Sequence, residues 1–214
     1  MTDRTLTALD RLIGQFDQAL HTVFGPAPTP ERASPAIDKT DTELSASERE
    51  LSGRLMRINH AGEICAQALY QGQAATARLP EVRGKMEQAA QEENDHLAWT
   101  EERIRELGGH TSYLNPLWYA GSFAIGALAG VAGDKWSLGF VAETEKQVVK
   151  HLEGHLQRLP AEDHKSRTIL EQMHDDEGRH ATVAIESGGA ELPEPVQQIM
   201  RCTSQIMTRT AYWI

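Results

Sequence analysis

A chain that sets Glu63 ahead of Glu93-Asn94-Asp95-His96, and then Glu145 ahead of Glu177-Gly178-Arg179-His180, has few folds open to it. Residues three apart on an α-helix share one face, so each Glu-x-x-His aims both side chains at one point. The intervals from lone Glu to paired Glu are 30 and 32 residues. Helices joined by tight turns would put each lone Glu level with its own pair. Two such hairpins then bring four carboxylates and two imidazoles together, the ligand set of a di-iron or di-manganese site inside a four-helix bundle. A single Glu-x-x-His belongs more often on a solvated face, because Glu is seldom buried. Two copies in register, each preceded by a suitably placed Glu, outweigh that reading. Charge agrees with it, since four carboxylates cancel two divalent ions while both histidines stay neutral. Buried alone, the same carboxylates would repel and take up protons. The expected ligands are Glu63, Glu93, His96, Glu145, Glu177 and His180. Carboxylate-rich sites suit iron or manganese better than structural zinc. Spacing does not separate oxygen activation from iron storage or peroxide disproportionation, nor say whether Glu93 or Glu177 bridges.

The rest of the chain supplies the helices. Residues 3–24 place Leu6, Leu9, Leu12, Ile13, Phe16, Leu20, Val23 and Phe24 at helical spacing. Gly25-Pro26-Ala27-Pro28-Thr29-Pro30 follows, with Pro35 beyond, and repeated proline excludes a helix there. Residues 1–40 thus read as an amphipathic helix and linker, and 41–214 as the bundle. Ser45 and Glu48 fit a capping box, opening a helix that runs through Glu63 to about Ala77. Pro80 suits the first turn of the next helix, which carries Glu93 and His96 and stops at Gly108-Gly109. Asn115 and Asp134 are candidate caps for two further helices, the second carrying Glu145 and ending before Pro160. Another helix holds Glu177 and His180 and ends at Gly188-Gly189, and a last amphipathic one follows Pro193. No stretch alternates as a strand would. The expected fold is all-α: a ferritin-like four-helix bundle with an added apolar crossover helix and a C-terminal helix.

From Thr111 to Gly133 the chain carries no charge, close to the length of a membrane span but diluted by glycine and alanine. A true span would strand the two hairpins on opposite sides of the bilayer. The stretch therefore reads as a helix in the membrane interface, with packing inside the protein as the rival. A formal charge of −10 argues against nucleic acid and against attraction to anionic lipid, leaving apolar insertion as the means of membrane contact. Cys65 and Cys202 form no CxxC and suit a reducing compartment, and the N-terminus has no apolar run of a secretory signal. His60 reads as a core or outer residue more readily than as a ligand. Asp95 and Asp176 are candidates to hydrogen-bond a ligand histidine from a neighbouring helix. Cys65 reads as a small core residue. His151, six residues after Glu145, stands about 120° off the ligand face.

Leu55-Met56-Arg57-Ile58-Asn59-His60-Ala61-Gly62-Glu63, continued by Ala66-Gln67-Ala68-Leu69-Tyr70-Gln71-Gly72-Gln73, closely resembles the first ligand helix of the demethoxyubiquinone hydroxylases. Glu92-Glu93-Asn94-Asp95-His96, Leu138-Gly139-Phe140-Val141-Ala142 before Glu145, and Glu177-Gly178-Arg179-His180 match the same pattern. The resemblance runs from about residue 45 to the C-terminus. It implies a ferritin-like di-iron monooxygenase that hydroxylates a polyprenylated demethoxyubiquinol with molecular oxygen, late in ubiquinone biosynthesis. It implies the same six metal ligands and a role for His151 near the quinone or in electron transfer. A peripheral position on the cytoplasmic face of the inner membrane goes with a lipid-borne substrate. A homodimer, or a complex with other ubiquinone-biosynthesis proteins, is the expected company. With no strand to carry a dinucleotide fingerprint, electrons come either from NADH used without a Rossmann domain or from a separate reductase.

Overall fold

The computed structural model describes residues 8–40 and 43–214. Leu6, and the side chains of Leu9 and Leu12, lie outside the described residues. The helices are α1 (Ala8–Phe24), α2 (Ala46–Thr76), α3 (Pro80–Glu106), α4 (Asn115–Ala132), α5 (Asp134–Arg158), α6 (His164–Glu186) and α7 (Glu194–Ala211), with no strand among the described residues. α2 opens on the expected capping box, Ser45 accepting from the Glu48 amide while Glu48 accepts from the Ser45 amide. α3 and α6 end alike, on Gly108 at φ 74 and Gly188 at φ 95, where a side chain would be strained.

Two expected caps do other work. Leu114 takes the N-cap position of α4, and Asn115 is already helical and buried. Gly133 precedes α5, and the Asp134 carboxylate accepts from the amides of Arg78 and Leu79, tying down the α2–α3 turn.

Helix directions follow from the contacts. Tyr70 meets Glu145 and Asn59 meets His155, so α5 runs antiparallel to α2. Arg103 meets Asp163 and Ser166 while His96 meets Asp176, so α6 runs antiparallel to α3. α2, α3, α5 and α6 form the bundle, and α4 is the long connection that returns the chain to the start of α5. The core falls into two apolar layers. Leu55, Met56, Trp99, Ile104, Leu152 and Met173 lie toward one end, and Tyr70, Val82, Met86, Leu138, Val141 and Ala184 toward the other. Each Glu of the repeated pattern falls, along its own helix, between the residues it gives to the two layers.

α4, which holds the uncharged stretch, uses its two faces differently. One face lies on α2 at backbone distance: a Cβ on Gly126 would stand 2.2 Å from the Leu69 carbonyl oxygen, and one on Gly130 2.0 Å from Thr76 Oγ1. Gly126 and Gly130, which dilute its hydrophobicity, are therefore packing devices. The opposite face bares Leu117, Ile125, Leu128 and Val131. No helix among the described residues is long and apolar enough to cross a membrane. α1 flanks α4 through Ala19 and Val23 beside Tyr119 and Phe123, and α7 packs Ala211 and Met207 with Ile58 and Ala61 of α2, where Trp118 of α4 also rests.

Gly126→Ala should cost roughly 1–3 kcal/mol by overpacking. Thermal melting should show a fall of roughly 3–10 °C. Gly121→Ala is the control: a Cβ there meets nothing within 4 Å, so the midpoint should hold or rise slightly. Equal midpoints for Gly126→Ala and the native chain would sink the close-packing account.

Candidate metal centre

All six residues of the repeated pattern converge between the two apolar layers. Glu63, Glu93, His96, Glu145 and Glu177 are buried and His180 nearly so. Glu63, Glu93, His96 and Glu177 each offer one donor atom, all within 4.8 Å of one another. Both histidines turn Nδ1 inward. His96 Nδ1 stands 3.1 Å from Glu93 Oε2, 3.1 Å from Glu177 Oε1 and 3.5 Å from Glu63 Oε2. His180 Nδ1 stands 3.1 Å from Glu177 Oε2 and 3.5 Å from Glu93 Oε1. Glu93 and Glu177 thus each put one oxygen toward each histidine. Glu63 sits on the His96 side, and Glu145 beside Glu177, where it accepts a hydrogen bond from Tyr70.

Electrostatics show what the cluster lacks. Burial, then the Glu93 charge, pushes the Glu63 carboxyl well above its usual range, and burial with Glu177 and Glu93 does the same to Glu145. Burial opposes charging of both imidazoles, yet surrounding carboxylates hold His96 well above its usual value and His180 up to about 12. Alone, these groups keep protons where the carboxylate charge needs cations. Glu93 Oε1 is buried with no hydrogen-bond partner. A pair of divalent ions fits this donor set, answering the charge and the idle oxygen together.

The outward nitrogens are held by carboxylates of the opposite hairpin. His96 Nε2 pairs with Asp176 Oδ2 at 3.0 Å, as the sequence anticipates, and His180 Nε2 pairs with Glu92 Oε2 at 2.6 Å. Asp95 does not touch a histidine. It accepts instead from the amides of Glu31 and Arg32 and from Arg32 Nε at 2.6 Å. Glu92, Tyr70 and Arg32 escaped sequence reasoning. The duplication carried a signal for the first, because Glu92 and Asp176 both immediately precede the paired Glu of their repeat. Nothing in the sequence marked Arg32.

The remaining candidates lie off the centre. Burial raises the Cys65 thiol to about 11, which suits a core residue and not a nucleophile. His60 is buried with Nδ1 unpaired, and His151 packs edge-on against His155 at 4.0 Å between ring centroids, its Nε2 unpaired. Burial lowers His60 and His151 to about 4 and His155 to about 2. These imidazoles are neutral in the fold but take protons below the usual 6.5 once unfolded. Their contribution to stability is complete above that value and is lost as pH falls toward 4. Between pH 7 and pH 5 each should cost about 2 kcal/mol. Denaturant unfolding of the metal-loaded protein should show a decline over this window, and His155→Gln should make it shallower. Parallel slopes for the two proteins would sink this assignment.

A cleft of about 100 Å³ reaches the centre from one side. Met86, Ala89, Leu138, Val141, Val183 and Ala184 give it apolar wall, and Tyr70, Glu92 and His180, with Lys85, Gln88 and Ser187, give it polar points. A wall of this mixed kind is the common makeup of a small-molecule cleft.

Comparison with known proteins agrees with this geometry. The family model described as ubiquinone biosynthesis protein COQ7 matches residues 50–211. The chain belongs to the COQ7 family. Relatives named 3-demethoxyubiquinol 3-hydroxylase include a Nitrosococcus oceani protein, 65% identical over the whole of both chains. The Stutzerimonas stutzeri protein of that name is 58% identical, covering 100% of this chain and 99% of its own. The Acinetobacter baumannii protein is 54% identical over 99% of this chain and 100% of its own. Among solved structures, the dodecameric thioferritin of Bacteroides fragilis, a bacterioferritin-related protein, superposes with a TM-score of 0.54 at 17% identity, covering 76% of this chain and 92% of that one. That likeness places this COQ7 chain in the ferritin-like fold.

Proposed function

We propose that this chain is a 3-demethoxyubiquinol 3-hydroxylase, a di-iron monooxygenase that adds oxygen to the ring of a polyprenylated demethoxyubiquinol late in ubiquinone biosynthesis. The carrying observation is the buried set of four carboxylates and two imidazoles in a chain 65% identical, end to end, to a protein of that name. Glu63 and His96 would hold one iron and Glu145 and His180 the other, with Glu93 and Glu177 shared between them. Bound iron supplies the electrons and the open positions that dioxygen chemistry requires.

The chain's own residues do the rest. Asp176 and Glu92 keep the proton on each histidine's Nε2 and leave Nδ1 free to bind. Tyr70 orients Glu145 by its hydroxyl hydrogen bond and also lines the cleft. The apolar wall of the cleft excludes water while holding the quinol ring near His180. His151 packs on His155 and does not line the cleft, so its proposed role is in electron transfer and not in holding the ring, with NADH or a separate reductase as donor.

The polyprenyl tail resides in lipid, so the enzyme must sit on the bilayer. The outward face of α4 is the contact, peripheral and on the cytoplasmic side of the inner membrane. A homodimer, or a complex with other ubiquinone-biosynthesis proteins, would be formed there. The test is anaerobic loading with Fe²⁺, metal analysis, and oxygen uptake coupled to quinol hydroxylation. Two irons per chain with hydroxylated product are expected. Iron without product, or peroxide disproportionation in its place, would overturn the reading.

A further inference from the structure

The two histidines are matched by sequence but not by surroundings. On the His96 side, Asp176 is 1% exposed and accepts from His96, from Gln172 and Arg179, and from Arg32 Nη1 at 2.8 Å. The same Arg32 gives Nε to Asp95, lays its guanidinium 4.9 Å from the Trp99 ring centre, and accepts at its carbonyl from Trp99 Nε1 at 3.2 Å. Trp99 in turn lies 5.5 Å from the His96 ring. The extended linker after α1 is thereby strapped across this half of the centre. On the His180 side, the corresponding Glu92 is 38% exposed, faces the cleft and accepts from His180 and Gln88. No arginine reaches it among the described residues.

We propose that Arg32 is a positioning residue that makes the two metal positions unequal. It locks Asp176 against His96, so the His96–Glu63 position holds its ion more tightly. The His180–Glu145 position, on the cleft, exchanges its ion more readily and meets the substrate. This rests on the dinuclear reading above. A bidentate guanidinium suits the task, because one planar fork bridges two carboxylates that a single ammonium reaches only one at a time.

The sign of the effect separates positioning from plain charge. Deleting a cation near two metal ions would tighten both by simple electrostatics. Losing an anchor on His96 loosens one. Titration with Mn²⁺ alone, followed by calorimetry and electron paramagnetic resonance, should show two unequal affinities in the native chain. Arg32→Gln should weaken the tighter by roughly 10–100-fold and leave the weaker unchanged. Arg32→Lys should restore part of the loss, and Glu92→Gln should weaken only the other position. Circular dichroism and melting of metal-free Arg32→Gln check that the fold persists. Should that variant not fold, hydrogen exchange on the native chain decides, with amides 31 and 32 expected to slow when the first Mn²⁺ equivalent binds. Two equal affinities in the native chain, equal weakening of both in Arg32→Gln, or no change would overturn the inference while leaving the dinuclear centre standing. A native chain that takes up no Mn²⁺ and no Fe²⁺ would sink both.

Discussion

Glu177→Ala should strip the protein of both metal ions and lower quinol hydroxylation by roughly 10³-fold or more, about 4 kcal/mol of lost transition-state stabilisation. The expectation rests on placement: one Glu177 oxygen stands 3.1 Å from His96 Nδ1 and the other 3.1 Å from His180 Nδ1. Removing a carboxylate that serves two positions should empty both. Glu63→Ala, acting on the His96 side alone, should leave about half the metal. Elemental analysis of the two variants beside the native protein distinguishes shared from terminal ligands. Native-like metal and turnover in Glu177→Ala would remove this residue from the centre, and equal losses in both variants would remove the distinction.

The second large effect concerns the lipid surface. Leu128 and Val131 on α4 are 70% and 59% exposed, on the face turned away from α2. Burying such a side chain is worth about 2 kcal/mol, or roughly 30-fold in partitioning. Leu128→Asp with Val131→Asp should therefore cut association with phosphatidylcholine vesicles by roughly 10³-fold, with little change in melting temperature. Native association should survive 1 M salt, in which electrostatic attraction is screened within about 3 Å. Flotation indifferent to the double substitution, or abolished by salt, would count against insertion through α4.

Much of the fold was legible because its signals are local. Helical periodicity, the Ser45–Glu48 box, Pro80 and the paired glycines mark helix ends through backbone chemistry that a short window contains. The metal centre was legible for a different reason: a duplicated pattern constrains two distant segments at once. Contacts made by single residues across the fold were not legible. Arg32 lies 63 residues from Asp95 and 144 from Asp176, in a linker whose prolines announce only that it is not a helix. Asp134 looked like a cap, since an acid at a helix start is locally favourable. Its carboxylate instead serves the turn between two other helices. Gly126 and Gly130 read as weak hydrophobicity, because sequence does not show that atoms of α2 lie within 3 Å of where their side chains would be.

If ions fill the centre, setting four acids between two apolar layers would make the survival of the chain depend on ion supply. A ligand that binds only the folded state stabilises it by about 2.7 kcal/mol when present at 100 times its dissociation constant, and by nothing when absent. For a protein of ordinary marginal stability, that margin changes how often proteases meet an open chain. Cells short of the metal would then lose the polypeptide as well as its activity, and quinone output would track metal supply through protein abundance.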